Sequence, residues 1–298
     1  MTDIKPFSSN IIFMLFTGLL IINSCKPAEN KNGSEADKTI TVSILPQEYF
    51  VKKIVGENYQ INVMVPPGAS PATYDPTPRQ MSRLADSDIY LRIGEIAFEK
   101  AWLKNITSNY PELPVKDLSN GISFIHQAHH HHEKEEDTKE GADPHIWVSA
   151  LNARIIARNT FRALKEIYPE DSVSFRNNYH KLLDTVNQVD SVYSDHSGEL
   201  NNKHFLIYHP ALGYLARDYN MHQIVLEFEG KEPPPAHIRD VIETAQKHDI
   251  NTIFIQSQFS TENARSLALE TGAVVVQIDP LSPQWKEMML NILNVLTE

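Results

Sequence analysis

TITVSILPQEYFVKKIVGENYQINVMV, residues 39–65, is the stretch on which the fold turns. Its two ends, Thr39 to Leu45 and Gln60 to Val65, are short runs rich in β-branched residues, the composition of strands. Between them Tyr49, Phe50 and Ile54 recur at helical spacing over Gln47 to Val55. A strand, a helix and a strand joined by short turns predict a parallel crossover unit. The alternation continues: Pro78 suits the first turn of a helix reaching Ala85, with Met81, Leu84 and Ala85 on one face. Asp88 to Ile93 reads as a third strand, and a weaker fourth lies near Val115.

Further along, Ser149 is placed to cap a helix whose apolar positions Leu151, Ile155, Phe161, Leu164 and Tyr168 keep one face until Pro169. A longer helix then follows, from about Asp171 to Gly198, without Gly or Pro in its interior. Phe175, Tyr179, Leu182, Leu183, Val186, Val189 and Tyr193 step along it by threes and fours, the pattern of a stiff rod with one buried stripe. Beyond it, His204 to Tyr208, Gln223 to Phe228, Asn251 to Gln256 and Ala273 to Asp279 read as four more strands separated by helical stretches. The expected fold is α/β, two Rossmann-like lobes, each a mainly parallel four-stranded sheet flanked by helices, joined by a long rigid helix. The lobes are expected at residues 39–170 and 200–298, with the linking helix at 171–199.

The chain has 298 residues, and its 27 Lys and Arg against 38 Asp and Glu give a net charge of −11. That balance repels nucleic acid and anionic headgroups and attracts cations. At the N-terminus Lys5 precedes an apolar run from Ile11 to Ile22, the length of a signal-peptide core and short for a membrane span. Asn23, Ser24 and Cys25 follow, and Cys25 is the single cysteine, so no intramolecular disulfide forms. Residues 1–24 are therefore expected to be a signal peptide. Ile22-Asn23-Ser24-Cys25 resembles a bacterial lipobox, which implies cleavage before Cys25 and a lipid on its thiol. Residues 25–38, polar and without periodicity, read as a flexible tether.

A metal signature sits within the first lobe, ahead of its last helix. His126 to His132 holds five histidines, an acidic run continues to Glu140, and Asp143-Pro144-His145-Ile146-Trp147 closes the stretch. Neutral imidazole is the commonest ligand for zinc and its neighbours, and flanking carboxylates concentrate cations. In open α/β sheets, ligands bind beyond the carboxyl ends of strands. That rule selects His209, after Leu206-Ile207-Tyr208, and Asp279, after Val274 to Ile278, each followed by a proline that ends its strand. A site in the cleft between the lobes follows.

These residues lie within motifs that together resemble the metal-specific substrate-binding lipoproteins of ABC importers, in the zinc-binding branch. Val65-Pro66-Pro67-Gly68-Ala69-Ser70-Pro71 with Tyr74-Asp75-Pro76-Thr77-Pro78 comes first. Gly94 with Phe98-Glu99 and the DPHIW motif of 143–147 follow. Tyr208-His209-Pro210-Ala211-Leu212-Gly213-Tyr214 and Ile278-Asp279-Pro280-Leu281 complete the series in the family's order. The resemblance implies a metal held by His145, His209 and Asp279, with a histidine at 209 favouring Zn2+ and placing Mn2+ behind it. It also implies an extracytoplasmic, lipid-anchored monomer that captures the cation and hands it to an ABC permease in the inner membrane. Pro71-Ala72-Thr73-Tyr74 departs from the family pattern, since Ala72 stands where the first histidine ligand would be. The candidates for that fourth place are water, a loop histidine (His129, His130, His131), Glu95 and Asp75.

Two other functions fit parts of this pattern. A three-ligand zinc with an open position suits a hydrolase, but no HExxH motif supplies a general base. A metal-binding adhesin or zinc buffer would make the histidine loop the active part. Of the remaining histidines, His180, His196, His237 and His248 are expected at the surface, and His204 and His222 half-buried at strand starts. Pro233-Pro234-Pro235 reads as a rigid turn. Gln256 and Gln258, at a strand end, are placed to support the site by hydrogen bonds.

Overall fold

The computed structural model describes Thr2 and residues 38–126, 141–228, 231–259 and 262–298, with 262 and 263 described by backbone alone. Apart from Thr2 the signal peptide lies outside the described residues, as do Cys25, all of the tether except Lys38, and His129, His130 and His131. The chain divides into two units, Met1–Ala36 and Asp37–Glu298, and the second carries the fold described below.

Two four-stranded parallel sheets form, as expected. In the first, β1 (Thr39–Val42) is flanked by β2 (Gln60–Val63) and β3 (Ile89–Arg92), with β4 (Val115–Asp117) outside β3. The second repeats the order: β5 (His204–Ile207) lies between β6 (His222–Val225) and β7 (Thr252–Gln256), with β8 (Val274–Ile278) beyond β7. All pairings within the two sheets are parallel. β7 ends at Gln256 as expected, whereas β1, β2, β3, β5, β6 and β8 stop short of their sequence-based ends. Thr39 to Leu45 shortens to Val42 because α1 (Leu45–Val55) already begins at Leu45, with Pro46 in its first turn.

Local chemistry explains the helix starts. Gln47 reaches back, its Oε1 accepting from Ser43 N at 2.9 Å and Ile44 N at 3.1 Å while its amide donates to Leu91 O, so one buried side chain holds the β1–α1 turn against β3. Thr77 caps α2 (Pro78–Ala85) in a capping box with Gln80. Ser149 caps α4 (Ala150–Ile167) by accepting from Asn152 N at 3.0 Å. The helix α3 (Ala97–Asn109) has no counterpart among the sequence-based elements. It carries buried Glu99, whose carboxylate accepts from Ser43 Oγ, Ile93 N and Gly94 N at the carboxyl ends of β1 and β3. Burial outweighs these donors and pushes its pKa up to about 7.

The face of α4 differs from expectation. Leu151 is 41% exposed, and the buried stripe runs through Ala153, Ile156, Ala157, Thr160, Ala163 and Leu164. Small residues on that stripe let α4 pack closely on α5 (Ser172–Asp195), which a short 3-10 turn at Pro169–Asp171 introduces. The rod is as expected: 24 residues, about 36 Å, burying Phe175, Leu182, Val186, Val189 and Tyr193. At its start, Lys38 donates to Asp171 (2.6 Å), Glu170 (2.9 Å) and Tyr59, so the last residue of the expected tether is held on the rod. The short α6 (Ser197–Leu200) leads into β5.

In the second half, α7 (Gly213–Asp218), α8 (Pro235–Lys247), α9 (Glu262–Thr271) and α10 (Trp285–Thr297) complete the order. The Pro233 to Pro235 run ends as the N-terminus of α8, with Pro235 as its first residue. Alternation on β5 divides two cores: Phe205 and Ile207 face the large core shared with the first half, while Leu206 joins a smaller one under α8 and α9. Trp285 of α10 packs 5.5 Å from Phe50 of α1, and Tyr193 of α5 donates to Met289 O at 2.6 Å. Apolar packing is thus continuous from one half to the other. The seam adds polar ties from the 143–149 segment. Trp147 Nε1 donates to Pro280 O (2.7 Å), Trp285 Nε1 to Trp147 O (2.7 Å), Tyr214 Oη to Asp143 O (2.7 Å), and Ser149 Oγ to Asp218.

Candidate metal centre

His209 lies two residues beyond β5, and His145 sits in the turn that crosses the seam; both line one cavity of about 490 Å³. Their rings stand edge to face with centroids 5.1 Å apart, against Trp147 (5.5 Å from His145) and Phe259 (5.3 Å from His209). Each imidazole is held the same way. His145 Nδ1 lies 2.8 Å from Asp143 Oδ1, which also accepts from the His145 backbone N–H at 2.9 Å. His209 Nδ1 lies 2.8 Å from Glu227 Oε1. Both carboxylates are buried, at 1% and 8% side-chain exposure, and an ionised carboxylate only accepts, so each Nδ1 of a neutral ring must carry the proton. The lone pair of each imidazole is then on Nε2. Two buried negative charges behind two such nitrogens favour a divalent cation in front of them.

The backbone around His209 is fixed by Gln256, which is buried: its Oε1 accepts from His209 N at 3.3 Å and its amide donates to His209 O at 2.6 Å. Gln258 donates to Asp279 Oδ1 at 3.4 Å, and Leu281 N donates to the same oxygen at 3.1 Å. Asp279 lines an adjoining cavity of about 140 Å³ rather than the larger one, and Gln258 and Leu281 line both. The structure thus brings His145 and His209 together and leaves Asp279 in the adjoining cavity. Among the described residues no three His, Cys, Asp or Glu side chains converge on a single metal position. Ala72 lines the larger cavity, in a turn that Pro71 O anchors by accepting from Phe98 N at 2.9 Å. Glu95 is paired with Lys100 at 2.9 Å, and Asp75 is exposed.

Sequence reasoning missed the roles of Asp143 and Glu227. Asp143, two residues before a histidine, has the spacing of a local turn and was open to detection. Glu227 was not: it reaches His209 only because β5 and β6 pair in parallel, with Tyr208 O accepting from Glu227 N at 2.9 Å. The opposite end of the same sheet gathers three histidines. His204 stacks on His248 (3.8 Å) and on its strand partner His222 (4.4 Å). Burial and these neighbours hold the His204 pKa below its ordinary value. His222 is exposed rather than half-buried, and exposed His248 is a stacking partner rather than a lone surface group. His180 is exposed, and His196 and His237 are partly buried.

Residues 40–298 match the family model described as zinc-uptake complex component A, periplasmic. Zinc-binding protein AdcA of Streptococcus pyogenes serotype M3 is 25% identical over 266 residues, 83% of this chain and 51% of that protein. The chain thus spans about half the length of the streptococcal relatives it matches. High-affinity zinc uptake system protein ZnuA of Bacillus subtilis is 22% identical over 301 residues, 96% of this chain and 94% of that protein. A crystal structure of ZnuA superposes with a TM-score of 0.80 at 31% identity, over 88% of this chain and 98% of that chain.

Proposed function

The chain belongs to the family of periplasmic A components of zinc-uptake complexes, and on that premise we propose that it captures Zn2+ and delivers it to an ABC permease in the membrane. The observation that carries this reading is the pair of imidazoles 5.1 Å apart, each with its Nδ1 on a buried carboxylate and its Nε2 left to a cation. His145 and His209 are the first two ligands. Asp279 is the third, with Oδ1 occupied by Gln258 and Leu281 and Oδ2 left to turn toward the metal. The fourth place, open at Ala72, is taken by water, which leaves Glu95 in its pair with Lys100. Imidazole nitrogens favour zinc over manganese, which prefers oxygen donors.

The role is binding and handover rather than turnover, in keeping with the family's description as a component of an uptake complex. The lobes at 39–170 and 200–298 bracket the site, the helix at 171–199 joins them, and the chain works as a monomer tethered through a lipid on Cys25. The test is a competition titration of the mature protein with a zinc chelator. His145→Ala and His209→Ala are each expected to weaken binding by about 100-fold or more, and Asp279→Ala by at least about tenfold, roughly 1.4 kcal/mol. Unchanged affinity in the two histidine variants would overturn the site, and unchanged affinity in Asp279→Ala would remove Asp279 from it.

A further inference from the structure

Asp143 is the carboxylate that sets His145, and the second half of the chain grips it at two points. A Cβ placed on Gly213 would stand 2.7 Å from Asp143 Oδ2, far inside ordinary contact, so only glycine lets this carboxylate lie against the start of α7. The clash would not be absorbed by a flexible tip, because Asp143 is a short, buried side chain whose other oxygen is already engaged by His145 N and Nδ1. The next residue holds the backbone. Tyr214 Oη donates to Asp143 O at 2.7 Å and accepts from Ile125 N at 3.2 Å, while Asp143 N donates to Ile125 O at 2.8 Å.

We infer that Gly213 and Tyr214 are positioning residues for His145, acting through Asp143, so that the orientation of one metal-binding imidazole depends on the contact between the two halves of the chain. The consequence for metal binding rests on His145 being a ligand, as proposed above. With Gly213 and Tyr214 seated, Asp143 keeps the proton on His145 Nδ1 and presents Nε2. When the halves separate at this point, Asp143 loses its grip on the second half, the imidazole is free to change tautomer and rotate, and the site weakens. Separation of the seam and release of the cation are thereby linked through one carboxylate.

The test uses the mature chain with 15N-labelled histidine. In the metal-free wild type, the His145 imidazole nitrogens are expected to report the Nδ1–H tautomer alone. Gly213→Ala is expected to give a mixture with the Nε2–H tautomer and to weaken zinc binding by roughly tenfold or more, the cost typical of losing an outer partner of a metal ligand. The decisive readout is a double-mutant cycle. If Gly213 acts through Asp143, Gly213→Ala changes zinc affinity little in an Asp143→Ala background, because the group it displaces is already gone. An additive loss there would show that Gly213 serves only the stability of α7 and would overturn the inference, as would an unchanged tautomer in folded Gly213→Ala. Should that variant fail to fold, Tyr214→Phe removes one hydroxyl without a clash and is expected to move the tautomer ratio in the same direction; no movement overturns the inference. A tautomer shift accompanied by full zinc affinity in His145→Ala would leave the positioning role standing and refute His145 as a ligand instead.

Discussion

Replacing Trp147 by Phe tests whether one hydrogen bond holds the Asp279 turn against the rest of the site. The indole is 2% exposed, and its Nε1 donates to Pro280 O at 2.7 Å, one residue beyond Asp279. Phenylalanine keeps most of the apolar ring but has no donor, so a carbonyl of a buried residue loses its partner. An unpaired buried polar group costs about 1–3 kcal/mol. The smaller ring leaves a gap worth about 1 kcal/mol more. The sum is about 2–4 kcal/mol, and at about 2–4 °C per kcal/mol for a chain of this size, Tm by calorimetry is expected to fall by at least about 4 °C. The loss should be local as well as global: Leu281 N–H and Ser282 N–H, which bond Asp279 Oδ1 and Asp279 O, should exchange faster with solvent. Trp147 O still accepts from Trp285 Nε1, so the neighbouring tie serves as an internal control. A Tm within about 1 °C of wild type with unaltered exchange at Leu281 and Ser282 would refute the reasoning.

Ala72→His places an imidazole in the cavity that His145 and His209 line, and zinc affinity by chelator competition is expected to rise by about tenfold, about 1.4 kcal/mol; a loss would show that the turn of Ala72 points elsewhere. Because the halves share one apolar core, small-angle scattering is expected to show no resolvable compaction on adding zinc, and a marked drop in radius of gyration would contradict the continuous packing of Trp285 on Phe50. The His204 stack predicts a pH dependence of stability. Its pKa is lowered by burial, then by His248 and His222, with Lys247 adding the same sign, so the unfolded chain binds protons more readily. The stability it contributes is therefore present above its ordinary pKa of 6.5 and lost as pH falls through the lower folded value. Tm measured from pH 7.5 downward is expected to fall less in His204→Gln than in wild type, and parallel curves would exclude the stack as the cause.

What could be read from the sequence is what neighbouring residues decide among themselves. Apolar spacing located the eight strands and the rod of α5, because each element must bury one face and the period of that face is written locally. The cap at Ser149 was equally legible: it accepts from the backbone N–H three residues on. The rule of strand ends picked His209 and Asp279 out of a chain with 13 histidines and 38 acidic residues. Tertiary structure decided the rest. The buried face of α4 follows alanines rather than its largest side chains, because α5 must approach closely and only the packed pair shows which residues allow it. Glu227 meets His209 through the register of two parallel strands, and Asp143 meets Gly213 across the seam between halves. Those partners are 18 and 70 residues apart. Local periodicity reports only that a residue is buried, and which distant group it is buried against is set by the packing free energy of the whole chain.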